Sequence, residues 1–273
     1  MDGEQFVTPH TGDDVPPKFA VLIDADNAQA ANIEGLLAEI ASYGEATVRR
    51  IYGDFTSTHS AQWKKVLNKY AIKPVQQFAY TTGKNATDST MIIDAMDLLY
   101  TRKFDGFCLV SSDSDFTGLA LRIREEGLMV LGFGERKTPE SFRNACHKFI
   151  FTDLLEKGTG RRSSSRAPLR EPAAEETVGA SSTQVVSADP GPEPVPLDFL
   201  RDALDKTSDE TGWAPLSALG SYATKVQPDF DPRTYGFKKL SDLVRAQSEF
   251  ELKERALPGS GTRVLSLRAG KVR

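Results

Sequence analysis

The stretch Val110-Ser111-Ser112-Asp113-Ser114-Asp115-Phe116 decides the fold of the N-terminal half of the chain. It follows the apolar run 107–109 and precedes a helical pattern that begins near Gly118. An apolar run, a polar turn and a helix in this order predict one β-strand that feeds a crossover helix. Ligands of open α/β sheets bind beyond the carboxyl ends of the strands, so two aspartates at this point indicate a site for a hard divalent cation.

The composition is typical of a soluble protein and excludes several classes. The chain has 273 residues, of which 39% are hydrophobic and 26% charged. No apolar run is long enough to span a membrane and the N-terminus is no signal peptide, so we expect a cytoplasmic protein without a membrane partner. Two cysteines exclude a disulfide scaffold and a Cys-rich zinc site. The net charge of −4 gives no global nucleic-acid signature, although acids at a metal site would offset basic residues elsewhere.

Apolar runs alternate with amphipathic helical patterns over the first 157 residues. Strands are predicted at 19–23, 46–52, 73–78, 107–110, 128–133 and 149–151, and helical patterns separate them. This alternation predicts a three-layer α/β domain with a mostly parallel central sheet.

The composition divides the chain into four parts. Residues 1–17 are a polar segment predicted to be disordered, and 18–157 form the α/β domain. Residues 158–196 are rich in Pro, Ala, Glu and Ser, which predicts a disordered linker. Residues 197–273 contain three helical patterns and two alternating strands, which suggests a small winged-helix domain.

Aspartates fall at one end of the predicted sheet, on four different strand ends: Asp24, Asp54, Asp88, Asp113 and Asp115. A single Asp after a strand is more often a helix N-cap or a turn former, but the coincidence favours a shared site. Clustered carboxylates that hold Mg²⁺ or Mn²⁺ provide an activated water and stabilise charge on phosphoryl oxygens, as phosphodiester hydrolysis requires. Without a cation such acids would repel one another.

Polar neighbours of these acids have two interpretations each. Asn27 could orient Asp24 or bind a phosphate oxygen, or it could cap the first helix. Lys84, in the loop before Asp88, could neutralise a substrate phosphate or could simply be solvated. Ser111 and Ser112 are small donors that could fix the carboxylates or a phosphate.

Three motifs together resemble the NYN domain, a PIN-like nuclease family. They are Ile23-Asp24-Ala25-Asp26-Asn27, Lys84-Asn85-Ala86-Thr87-Asp88 and Ser111-Ser112-Asp113-Ser114-Asp115-Phe116, within a match over about 18–155. The resemblance implies a metal-dependent ribonuclease with Asp24, Asp88 and Asp113 as metal ligands and with Asp54 and Asp115 in supporting acidic positions. We also expect Asp115 among the metal-binding acids. Ser112 departs from the family pattern, because many NYN domains have Gly before this Asp.

The C-terminal region resembles the LOTUS domain, also called OST-HTH, through Gly212-Trp213-Ala214-Pro215-Leu216 and the segment from Phe230 to Leu240. That family is a winged-helix module that binds RNA, including G-rich structured RNA. The resemblance adds RNA as a partner and indicates phosphate contacts and base stacking by a set of interleaved cations and aromatics: Arg233, Tyr235, Lys238 and Lys239. The alternative is that the aromatic rings belong to the core and the cations only to the surface.

We therefore expect a ribonuclease domain tethered to an RNA-binding domain, which raises the concentration of the catalytic site near bound RNA. One alternative is an RNA-binding adaptor whose acids hold only a structural metal. Another is a haloacid-dehalogenase-like phosphatase with Asp24 as covalent nucleophile, because Asp24-Ala25-Asp26 follows a strand. Ala28 and the additional acid Asp88 fit that family poorly. A homodimer is compatible with the resemblance to PIN-like domains.

Overall fold

A computed structural model describes residues 15–56, 61–78, 86–155, 192–256 and 263–270. Strands and helices alternate along the N-terminal part. The elements are β1 Lys18–Asp24, α1 Ile33–Ala41, β2 Glu45–Gly53, α2 Ala61–Leu67, β3 Lys73–Gln76, α3 Ala86–Tyr100, β4 Gly106–Val110, α4 Thr117–Glu125, β5 Met129–Gly134, α5 Glu140–Ala145 and β6 Lys148–Phe151.

The six strands form one sheet in the order β3-β2-β1-β4-β5-β6, and every pairing is parallel. The chain moves outward from β1 to β3 on one side, then returns to place β4 on the other side of β1. Such a reversal of strand order opens a crevice at the carboxyl ends of the two central strands, where ligands of this fold bind. Asp24 ends β1 and Asp113 follows β4, so both acids lie at this crevice.

Helices cover both faces of the sheet and confirm the predicted three layers. On one face, Leu36 and Ile40 of α1 and Trp63 of α2 pack against the sheet. On the other face, Met91 of α3 and Ile123 of α4 pack with the opposite side chains of the strands. Burial on both faces explains why the central strands are almost continuously apolar, as parallel sheets require.

Two edge strands are shorter than the interior ones. β3 ends at Gln76 rather than at the predicted Phe78. Pro74 lacks a backbone donor, which is tolerated on an edge strand because the donor is not needed for a further pairing. β6 forms the opposite edge of the sheet, beside β5.

The C-terminal part contains the three predicted helices and the hairpin. Its elements are α6 Leu197–Thr207, β7 Ala214–Pro215, α7 Leu216–Val226, the 3-10 turn Pro232–Tyr235, α8 Leu240–Arg245, β8 Phe250–Ala256 and β9 Arg263–Ala269. β8 and β9 are antiparallel, and β7 pairs with β9. The two-residue β7 was not predicted, since a pair of residues carries no periodic pattern. Among the helices described, none is both long and apolar enough to cross a membrane.

The end of the predicted linker is folded against this module. The backbone N–H of Glu193 donates to the carbonyl oxygen of Thr234 at 3.1 Å, and Pro192 faces Gly236. Residues 1–14 and 156–191, which hold most of the predicted leader and linker, lie outside the described residues.

Candidate functional site

Three aspartates converge beyond the carboxyl ends of β1 and β4. One carboxylate oxygen each of Asp88, Asp113 and Asp115 can be chosen so that all three atoms lie within 4.8 Å of one another. Asp88 comes from the first turn of α3, and Asp113 precedes the 3-10 turn Ser114–Phe116 that opens α4. Asp113 also caps this turn, because its Oδ1 accepts the backbone N–H of Asp115 at 2.9 Å. The sequence placed these three residues at one edge, and the structure brings them together.

Asp24 lies beneath this trio and is held in one orientation. Its side chain is 1% exposed, and Asn27 Nδ2 and Ser111 Oγ both donate to Oδ2, at 2.7 and 2.8 Å. Oδ1 accepts the backbone N–H of Asp26 at 3.0 Å. Asn27 therefore orients Asp24 and does not cap the first helix, whose cap position is occupied by Asn32. Asp24 itself is not a member of the close trio.

The electrostatics of the site favour the binding of a cation. Partial burial, with the charges of Asp24, Asp113 and Asp115 next in importance, raises the pKa of Asp88 to about 6. Burial and the charges of Asp24 and Asp54 also raise the pKa of Asp26. From the sequence Asp26 is expected to be a solvent-facing acid or an outer-shell ligand, and its place in the electrostatics depends on the loop that follows β1. The aspartates offer only carboxylate oxygens as ligands, which suits a hard divalent cation such as Mg²⁺ or Mn²⁺. Such a cation would also relieve the repulsion between the carboxylates.

Ser111 and Ser112 support the acids from behind. Ser111 is fully buried, and besides donating to Asp24 its Oγ accepts the backbone N–H of Asp113 at 3.1 Å. Ser112 Oγ accepts the backbone N–H of Glu135 at 2.9 Å, so the residue that replaces the usual Gly ties the end of β4 to the end of β5. Gly134 is needed beside them, because a Cβ there would lie 2.6 Å from the carbonyl oxygen of Ser111. Burial of these hydroxyls favours the predicted support of the carboxylates over the predicted RNA contacts.

Asp54 lies outside the trio, and its supporting catalytic position stays a prediction. Its Oδ1 accepts from the backbone N–H and hydroxyl of Thr56 at 2.9 and 2.6 Å, and from Gln76 Nε2 at 2.8 Å. These hydrogen bonds, those of Thr56 first, lower its pKa. No pattern in the sequence points to Gln76, which reaches Asp54 because β3 lies beside β2.

The predicted RNA-binding residues of the C-terminal part fall into two groups. Tyr235 is 8% exposed within the module's core, and Arg233 is paired with Asp231 and Glu39. The Tyr235 ring is buried, so it is not available to stack on a base. The Arg233 guanidinium is paired with two carboxylates, so it is not available for a phosphate. Lys238 and Lys239, in contrast, are exposed just before α8. Lys84 lies outside the described residues.

Family comparison identifies both domains. The NYN domain model matches residues 18–156, just over half of the 273 residues, and this chain therefore belongs to the NYN domain family. The OST-HTH/LOTUS domain model matches residues 195–260. The first is a nuclease-like domain and the second indicates RNA binding, so an acidic aspartate cluster and an RNA-binding module occur in one chain.

Solved structures with some likeness cover parts of the chain. An uncharacterised protein from Nitrosomonas europaea is 41% identical, covering 36% of this chain and 95% of its own, with a TM-score of 0.28. A protein fragment from Chromobacterium violaceum is 32% identical, covering 30% of this chain and 87% of its own, with a TM-score of 0.25. A protein of unknown function from Vibrio parahaemolyticus is 19% identical, covering 52% and 96%, with a TM-score of 0.44. Curated proteins gave no match.

Proposed function

We propose that this protein is a metal-dependent ribonuclease that hydrolyses RNA phosphodiester bonds at its aspartate cluster. The observation that carries the proposal is the approach of the Asp88, Asp113 and Asp115 oxygens to within 4.8 Å at the crevice between β1 and β4. Carboxylates held this close repel one another, which is costly unless a cation neutralises their charge. The NYN family match makes RNA hydrolysis the chemistry best supported.

Each acid has a distinct part in this proposal. Asp88, Asp113 and Asp115 would hold Mg²⁺ or Mn²⁺, and a bound ion supplies an activated water and neutralises the phosphoryl oxygens. Asp24 adds a fixed negative charge beneath them, because three donors orient its carboxylate. Asp88 loses its proton near pH 6 in the absence of metal, so the site is best prepared for a cation above that pH.

The C-terminal domain would supply RNA affinity. Lys238 and Lys239 are exposed and carry the positive charge expected of phosphate contacts. Contacts of this kind are independent of base sequence, which leaves the preference for G-rich or structured RNA to other parts of the module.

Cleavage of an end-labelled RNA of mixed sequence, with Mn²⁺, Mg²⁺ or EDTA, tests the proposal with Asp113→Asn beside the wild type. An amide oxygen can still cap the turn, so this change removes a ligand charge without removing the N-cap. We expect metal-dependent cutting by the wild type and a loss of at least about 100-fold in the variant, the size typical for one charge-stabilising group. Asp97→Asn, an exposed change on α3, is the matched control and should cut normally.

Cutting by Asp113→Asn at the wild-type rate would contradict the assignment of the site. RNA binding without cutting in either metal would instead favour the adaptor. The phosphatase alternative is disfavoured by Asp24, because a covalent nucleophile must reach its substrate and this side chain is 1% exposed with three hydrogen-bond donors on it.

A further inference from the structure

Among the described residues, hydrogen bonds and ion pairs join the C-terminal module to the NYN domain through the loop 228–236 and Glu193. This loop includes part of the segment whose cations and aromatics suggested RNA contacts. Its backbone and two ion pairs, with a third ion pair made by Glu193, instead cross to the NYN domain, at α1, α5, β6 and the turn after β5.

The first contact is a backbone hydrogen bond at an edge of the sheet. β6 is the last strand, and the outward-facing backbone groups of an edge strand are ordinarily open to pairing with another chain. Here the backbone N–H of Phe149 donates to the carbonyl oxygen of Pro228 at 2.9 Å. Pro228 is buried. The module therefore supplies one hydrogen-bond acceptor to this edge strand.

The second contact is a forked ion pair. Arg233 Nη1 and Nη2 donate to the two carboxylate oxygens of Glu39 on α1, at 2.8 and 3.1 Å. The same guanidinium is held within the module by Asp231, through Nε at 3.0 Å and Nη2 at 2.7 Å. Asp231 is 4% exposed, and although burial opposes its charge, the hydrogen bonds from Arg233 lower its pKa. The planar guanidinium of Arg233 is therefore fixed by Asp231 and makes a bidentate pair with Glu39. A pair of this geometry sets the relative orientation of the two domains as well as their distance.

Two further ion pairs flank the fork. Arg143 of α5 pairs with Asp229, whose side chain is 9% exposed, and its guanidinium also lies 5.9 Å from the ring of Phe151. Arg136, in the turn after β5, pairs with Glu193 and with Asp153 and lies 5.2 Å from the same ring. The two domains thus present opposite charges to each other at three separate points. Matched charges at several points favour one docked orientation, whereas a difference in net charge would favour only association.

We propose that the loop 228–236 is a docking element that joins the C-terminal module to the NYN domain as one rigid body. The module then does not act as a freely tethered RNA-binding domain. Its exposed Lys238 and Lys239 are held at a constant position relative to the aspartate cluster. This inference stands independently of catalytic activity, since it concerns only the arrangement of the two domains.

Small-angle X-ray scattering of the full chain tests the docking, with charge reversals at two separate contacts. Glu39→Arg leaves the Arg233–Asp231 pair of the module intact, and Arg143→Glu alters a different element. We expect a compact profile for the wild type, and in both variants a larger radius of gyration with the profile of two independently moving domains. Glu34→Arg, on the same helix but paired with Lys69 inside the NYN domain, should leave the profile compact.

Circular dichroism accompanies the scattering, so that expansion through undocking is distinguished from unfolding. If a charge reversal lowers the helical signal, Glu39→Gln replaces it, because this change removes the charge at nearly constant size and should give a smaller expansion. The docking is refuted if the wild type already scatters as two independent domains. It is equally refuted if folded interface variants remain as compact as the wild type.

Discussion

Replacing Asp88 by Asn should stabilise the metal-free protein while abolishing its stabilisation by metal. The pKa of Asp88 rises from its ordinary 3.8 to about 6 because the carboxylate is partly buried and faces Asp24, Asp113 and Asp115. A group whose pKa is raised on folding favours the folded state only while protonated. Stability is therefore lost as pH rises from about 4 through about 6, and remains lower above that range.

The magnitude follows from the pKa. Each pKa unit corresponds to about 1.4 kcal/mol, so the full penalty on ionised Asp88 is about 3 kcal/mol. The side chain is substantially solvated and its repulsion is screened, which reduces this figure to roughly 1–2 kcal/mol. A carboxylate in the first turn of a helix also gains about 0.3–1 kcal/mol from the helix dipole, which Asn forfeits. We expect Asp88→Asn to gain about 1 kcal/mol at pH 8, or about 2–4 °C in Tm for a domain of this size.

Thermal and urea unfolding in EDTA at pH 8 and pH 4.5 measure this effect, followed by the same series with Mn²⁺. The advantage of Asp88→Asn should disappear at pH 4.5, where Asp88 is protonated. At a Mn²⁺ concentration of 100 times its Kd, the wild type should gain about 2.7 kcal/mol and the variant much less. Asp97→Asn controls for charge loss on α3 and should change neither value. A variant less stable than the wild type in EDTA at pH 8 would refute the electrostatic reasoning.

Three other predictions concern RNA and the C-terminal module. Changing both Lys238 and Lys239 to Ala should weaken RNA binding and reduce the salt slope of log K by about 1 for each lysine, measured by fluorescence anisotropy at several salt concentrations; an unchanged slope would exclude them as phosphate contacts. Undocking by Glu39→Arg should broaden the range of positions at which an RNA with a single hairpin is cut, as measured on a sequencing gel. Glu34→Arg should keep the wild-type range. Equal ranges for Glu39→Arg and the wild type would show that docking does not determine where the RNA is cut. Gly236→Ala should lower the free energy of unfolding by about 1–2 kcal/mol in urea titrations, because Gly236 has a φ of +83°; unchanged stability would contradict that strain.

The strand ends of the NYN domain could be predicted because local sequence and fold agree there. A parallel sheet buried on both faces requires apolar strands, and the acids that follow them interrupt these runs abruptly. Asp113 and Asp115 were therefore located to within the turn that presents them. Topology then brought Asp88 to them from a separate helix. What the sequence did not provide was the direction of each side chain, so it could not show that Thr56 and Gln76 hold the carboxylate of Asp54.

The hydroxyls behind the acids show a second limit. A serine next to a phosphate-cleaving site can bind the substrate or the carboxylates, and its sequence position is the same in both cases. Burial distinguishes the two possibilities, because Ser111 has no exposed surface to offer and its hydrogen bonds go to Asp24 and Asp113. The burial of Ser111 depends on how closely β5 approaches the end of β4. Gly134 of β5 permits this approach, because a Cβ there would lie 2.6 Å from the carbonyl oxygen of Ser111.

The role of Arg233 could not have been deduced from its own neighbourhood. Next to an aromatic residue and two lysines, an arginine has the chemistry of a phosphate ligand, and within the module Asp231 only partly neutralises it. Its second partner, Glu39, is 194 positions away in the chain, on a helix of a different domain. A bidentate pair between such distant residues forms only when the domains meet in one orientation, since the fork must face both oxygens at once. The same geometry that hides Arg233 from RNA thus specifies where the remaining exposed cations, Lys238 and Lys239, are held.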